Sequence, residues 1–240
     1  MFTMNEREEM ETRSRAGRII GSLILVQIVS GILVNFVLAA PLFGEPGFLV
    51  NAAAHSTQIS LSVLIGAAVG LLSIGIAVTG FPVFRQHSLT LALFYIALAA
   101  ASFALTVVEN MNVMSMLSLS ESYAKAGVAQ HDLYQGLRIV VASARNWAHF
   151  IGLIVSGITL LVLYTTLLRF ALVPRVLAAF GLVAVMLQLI AVSMPLFGRD
   201  VIFPMLMPLG ICQIVLAGWL ITKGFRAGAL TRHVQKQGAG

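Results

Sequence analysis

Three ionisable residues of this sequence stand in stretches that are otherwise almost wholly apolar: Glu109, Arg145 and His149. Glu109 is followed by Asn110 and Arg145 by Asn146, so each charge has an amide beside it. Arg145 and His149 are four residues apart and share a face if their segment is helical. A carboxylate facing a guanidinium and an imidazole suits ligand binding. Glu109 would be the charge partner, Arg145 its counterion or an anion contact, and Asn110, Asn146 and His149 hydrogen bonders. With His55 the same groups suit metal chemistry: His55, His149 and Glu109 would supply two imidazoles and a carboxylate and leave one position for water. A bis-histidine haem through His55 and His149 is the redox form of that idea. No His-Glu-x-x-His or Glu-x-x-His spacing demands a metal. The cofactor is therefore open at this level.

The elements that must hold these residues follow from composition. Of 240 residues, 59% are hydrophobic and 10% charged, and the mean hydropathy is +0.95. Soluble domains carry roughly 25% charged residues, so the chain lacks the charge to solvate a compact surface. An all-α, polytopic integral membrane bundle is expected. Six apolar segments are each long enough for a bilayer core of about 30 Å. They are Ile19–Phe43, Thr57–Gly80, Leu89–Asn112, Trp147–Phe170, Val176–Phe197 and Val201–Thr222. Each is apolar all round, as a water-facing helix cannot be. The first is longer than a signal-peptide core and follows Glu6, Glu8, Glu9 and Glu11, so it is expected to stay in the chain.

Orientation follows from the basic residues. With both termini cytoplasmic, the inner side holds Arg7, Arg13, Arg15, Arg18, Arg85, Arg169, Arg175, Lys223, Arg226, Arg232 and Lys236. The outer side then holds Lys125, Arg138, Arg145 and Arg199. Eleven against four is the positive-inside pattern. The net charge of +6 is thus spread over span ends, with no basic patch, no interleaved aromatics and no phosphate loop, and nucleic acid is excluded as a partner. Residues 1–18 read as a charged cytoplasmic segment, 19–226 as the membrane domain and 227–240 as a basic cytoplasmic tail.

Connections are expected at Phe81-Pro82, Val173-Pro174-Arg175 and Gly198-Arg199-Asp200, with a longer outer loop over Gly44–Ser56. Val113–Asn146 is the long outer segment between helices three and four, and a structureless loop of that size would be unusual. Its second half has helical character, with Asp132 and Gln135 spaced like a capping box, so the fourth helix is expected to begin outside the membrane. Residues 113–143 could form a lid or a docking surface.

Under this orientation Glu109, Arg145, His149, Asn35, His55, Gln58, Arg199 and Asp200 gather toward the outer ends of the spans. Ionisable groups at that depth are costly and mark functional candidates. Other signals are weaker. Gly66 and Gly70 fit close helix packing, and Pro204 and Pro208 would kink span six. Trp147, Tyr164 and Trp219 fit an interfacial belt. Cys212 reads as a small buried hydrophobe, and His87 and His233 as solvated on the inner side. No Gly-x-Ser-x-Gly elbow supports serine hydrolysis.

Leu167-Leu-Arg-Phe-Ala-Leu-Val-Pro-Arg-Val-Leu177 and Leu216-Ala-Gly-Trp-Leu-Ile-Thr-Lys-Gly-Phe225 resemble boundary motifs of a bacterial six-span family, domain of unknown function family 4386. The likeness covers roughly residues 146–226. It implies the six-helix topology and a bacterial cytoplasmic membrane, and no activity.

The expectation is therefore a membrane protein that binds a small amphipathic or lipid-like ligand in an outward-facing polar pocket, as a sensor or accessory protein. Its alternatives are a metal- or haem-dependent intramembrane enzyme using His55, Glu109 and His149, and a structural subunit. The partners implied are the lipid bilayer, the ligand, and a homo-oligomer or larger membrane complex.

Overall fold

The computed structural model describes residues 4–127 and 130–226, with side chains from Met10 onward. Every regular element among them is helical. In chain order these are α1 (Met4–Ile32), a π-helical turn (Leu33–Leu38), α2 (Ala40–Phe43), α3 (Phe48–Asn51), a 3₁₀ turn (Ala53–His55), α4 (Ser56–Arg85), α5 (Leu89–Lys125), α6 (His131–Arg169), α7 (Arg175–Ser193), 3₁₀ turns at Met194–Phe197 and Phe203–Met205, and α8 (Met207–Lys223). Six stretches are long and apolar enough to cross a membrane: Met10–Leu38, Ala53–Arg85, Leu89–Lys125, His131–Arg169, Arg175–Phe197 and Phe203–Lys223.

The helices group into two units. Of the described residues, the first holds those up to Val26, Ser73–Ala101, and 153–226. Small residues set its packing. A Cβ on Gly21 would stand 2.7 Å from the Ala217 carbonyl oxygen, so α1 meets α8 at backbone contact. Tyr164 is fully buried, against Gly181, where a Cβ would lie 2.6 Å from the ring Cζ. The Tyr164 hydroxyl lies 3.3 Å from the Cys212 thiol. Phe84 packs edge-on to both Tyr95 and Phe225, with centroids 5.8 Å apart in each case.

The second unit holds Gln27–Leu72 and Ser102–Gly152. Its core is Ala39, Leu42, Phe48, Leu49, Ala52, Ile59, Val113, Met116 and Leu117. The segment between α1 and α4 is thus a folded set of short turns that buries Leu38, Ala39, Leu42, Phe48, Leu49 and Ala52. Ser120 pins it: its Oγ accepts from the Ala53 N–H at 2.8 Å and donates to the Leu49 carbonyl at 3.0 Å.

Several expectations are corrected. The first span does not run as one α-helix to Phe43: after Ile32 the backbone widens, and the Ala39 N–H reaches back five residues to the Val34 carbonyl at 2.8 Å. Pro41 is the cause, for it has no N–H to give the Val37 carbonyl four residues earlier. Gln58 Nε2 fills that carbonyl instead, at 2.8 Å. Phe81-Pro82 is not a connection, because α4 continues through Pro82 to Arg85 and the turn is Gln86–Ser88. The outer segment 113–146 is helical in its first half as well as in its second. α5 continues to Lys125 and α6 starts at His131, with Asp132 in its first turn and not in front of it.

Pro204 lies in a 3₁₀ turn and Pro208 in the first turn of α8, where a missing N–H costs nothing, so neither kinks a helix interior. Tyr164 is a core residue and no belt residue. His87 is half-buried, stacked on Phe170 at 4.9 Å, with both ring nitrogens lacking a hydrogen-bond partner among the described residues. Burial, and then the Arg13 guanidinium, lower its pKa below the ordinary value. His233 lies outside the described residues.

Candidate functional site

The hairpin of α5 and α6 brings Glu109 and Arg145 together. Glu109 is 16 residues before the end of α5 at Lys125, and Arg145 is 14 after the start of α6 at His131. At a rise of 1.5 Å per residue, the two stand about 24 and 21 Å from the turn. Antiparallel neighbours therefore meet at these positions. Arg145 Nη2 donates to Glu109 Oε1 at 2.7 Å, and His149 Nδ1 donates to the same oxygen at 2.9 Å. The four-residue spacing supplies this: Arg145 and His149 project from successive turns of one face.

Burial grades across the group. The side chains of Arg145, Glu109 and His149 are 9%, 22% and 27% exposed. Arg145 is held from the other side by Phe43, whose ring centroid lies 4.8 Å from the guanidinium carbon. That cation–π contact ties α2 to α6. Arg145 Nη1 reaches Asn146 Oδ1 only at 3.5 Å, a weak contact. Two polar atoms of the group have no partner among the described residues: the buried Nε of Arg145, and Glu109 Oε2.

The remaining candidates separate. Asn110 is one position round the helix from Glu109 and faces α4, where its Nδ2 donates to the Val63 carbonyl at 3.2 Å, above Gly66. It is a helix-to-helix bond, not part of the charged group. Asn35 turns back on the Gly31 carbonyl of its own helix at 2.9 Å. His55 is exposed, and its Nδ1 donates to the Asn51 carbonyl at 2.9 Å. It does not join Glu109 and His149, and among the described residues no three His, Cys, Asp or Glu side chains come together as a metal-ligand set. The metal triad and the bis-histidine haem both call on His55, whose ring is instead held at the Asn51 carbonyl. Its place is set by the turn after α3, a short-range bond that the spacing of single histidines does not reveal.

Sequence reasoning missed Phe43 and Ser120, and placed Gln58 without its partner. Phe43 under Arg145 had no signal, because an aromatic in an apolar run is ordinary. Gln58 had one: a proline four residues after Val37 frees a carbonyl, and an amide in the next helix is its natural partner. Ser120 had no signal, because its partners Ala53 and Leu49 lie 67 and 71 residues away.

Residues 19–224 match the family described as Domain of unknown function (DUF4386). The chain belongs to this family. The match extends the likeness beyond residues 146–226 into the half that carries Glu109 and Arg145. Neither a curated protein nor a solved structure matches the chain. For this DUF4386 member, chemistry must therefore be argued from its own side chains. These can hold α5 and α6 in register, and they can offer a small molecule one carboxylate oxygen and one imidazole edge.

Proposed function

We propose that this integral membrane protein binds a small amphipathic molecule at Glu109, Arg145 and His149, in a sensor or accessory role. The observation that supports this is the uneven use of the Glu109 carboxylate. Oε1 takes both the guanidinium and the imidazole, and Oε2 takes neither among the described residues. Membrane-embedded polar groups ordinarily find partners within the bundle, and the buried Arg145 Nε also lacks one. A ligand with a donor group for Oε2 and an apolar body against the neighbouring side chains would complete the set. Asn146, exposed beside Arg145, would contribute its amide. On the positive-inside count, the termini are cytoplasmic, segments 1–18 and 227–240 flank the membrane domain on that side, and the site opens outward from a bacterial cytoplasmic membrane.

A structural reading is favoured by the double use of Oε1, which by itself would lock α5 to α6. One experiment separates the two. Small molecules extracted from the purified wild type and from Glu109→Gln are compared by mass spectrometry, alongside their melting temperatures. The binding reading expects a near-stoichiometric amphiphile in the wild type that is lost from the folded variant. If the wild type carries none, no amphiphile of a test panel raises its melting temperature, and Glu109→Gln only melts earlier, the group is a structural pin.

A further inference from the structure

A cavity of about 570 Å³ lies at the end of α7, against Leu189, Ile190, Ser193, Met194, Phe197 and Arg199. Its size falls in the range of roughly 300–1,000 Å³ common to small-molecule sites. The chain builds it by a tight reversal. α7 passes into the 3₁₀ turn Met194–Phe197, Gly198 takes φ 69°, and the Arg199 N–H returns to the Met194 carbonyl at 3.2 Å. Arg199 is thereby carried back to the rim of the helix it has just left. A positive φ at residue 198 favours glycine, so the reversal is written into the sequence.

The walls contain two polar side chains. Ser193 Oγ is committed to the Leu189 carbonyl at 2.7 Å. The Arg199 guanidinium makes no ion pair or hydrogen bond among the described residues. Asp200, next in the chain, does not line the cavity. The groove is therefore apolar with one uncompensated cation at its edge. Ile190 and Phe197 are 51% and 79% exposed on a helix that can cross a membrane, so the groove opens toward acyl chains.

We propose that this groove holds one anionic phospholipid. One of its two acyl chains lies along Leu189, Ile190, Met194 and Phe197, and its phosphate is bound by Arg199. A planar guanidinium suits a phosphodiester because it can donate two parallel hydrogen bonds. A zwitterionic headgroup brings a cation of its own that Arg199 repels, which gives the selectivity. This site involves none of Glu109, Arg145 and His149, and does not depend on the function proposed for them.

The test uses the full chain, delipidated in detergent and studied by native mass spectrometry with phosphatidylglycerol, phosphatidylethanolamine and phosphatidylcholine of matched acyl chains. The expected result is preference for phosphatidylglycerol over phosphatidylcholine by about tenfold, the effect of one charge-assisted contact. Arg199→Gln, at an exposed position, should abolish that preference and leave the melting temperature unchanged. Ser193→Phe, which fills the cavity and keeps Arg199, should weaken binding of phosphatidylglycerol. Persistence of the preference in Arg199→Gln would overturn the proposal. So would equal binding of phosphatidylethanolamine, or displacement of phosphatidylglycerol by an equal concentration of oleate, which would make the ligand a free fatty acid.

Discussion

Arg145 and Glu109, 36 residues apart in sequence, meet through a single carboxylate oxygen at 2.7 Å. The guanidinium is the more buried partner. Removing the acid therefore strands a charge that water cannot reach. Glu109→Ala should lose about 3 kcal/mol or more of stability, in the range seen when one partner of a buried pair is deleted. Glu109→Leu with Arg145→Met should recover most of that loss. Denaturation of the single and double variants in the same detergent measures the coupling, and additive losses would show that the pair is not one unit.

Tyr164 presses its ring on Gly181 so closely that a methyl group there would overlap it. The ring is fully buried and cannot swing aside into free space. Gly181→Ala should cost about 1–3 kcal/mol by overpacking. The same substitution in a Tyr164→Leu background should cost less than it does alone. Thermal melts of the three variants give the comparison.

Ser120 serves two backbone groups that have no other partner in their turns, the Ala53 N–H and the Leu49 carbonyl. Ser120→Ala strands both in a buried place, at a cost of about 1–3 kcal/mol for the unsatisfied donor alone. Amide hydrogen exchange at Ala53 should accelerate more than at Ile59, a fully buried residue of the same core. Uniform acceleration across the unit would instead indicate global loosening.

His87 provides a pH dependence. Burial first, and Arg13 second, lower its pKa in the folded protein below the ordinary value of 6.5. The folded state thus binds the proton less readily than the unfolded chain. Its contribution is fully present above about pH 6.5 and is lost as the pH falls toward the depressed value. The melting temperature should drop on acidification through that window. His87→Phe keeps the stack on Phe170 and should flatten the slope, whereas an unchanged slope would assign it to other groups.

The sequence by itself determined what depends on local pattern. Six apolar runs, each longer than a bilayer core, dictate six helices, because a backbone in lipid must satisfy its own hydrogen bonds. The four-residue spacing of Arg145 and His149 places them on one face whatever lies opposite. Scarcity of charge also singles out Glu109, since so few ionisable groups sit in apolar surroundings. Tertiary structure decided which partners those groups take. Asn110 and Glu109 are adjacent in sequence and diverge by about 100° on the helix, so one bonds α4 and the other α6. His55 left the charged group because a short turn captured its ring. Val113–Asn146 was legible as a long outer segment with a helical second half, but not as a first half that continues α5 to Lys125, because polar residues interrupt the apolar run. The packing of Val113, Met116 and Leu117 on the turns before α4 keeps it helical. Pairings across tens of residues depend on how helices pack, and no periodicity within one helix encodes its neighbour.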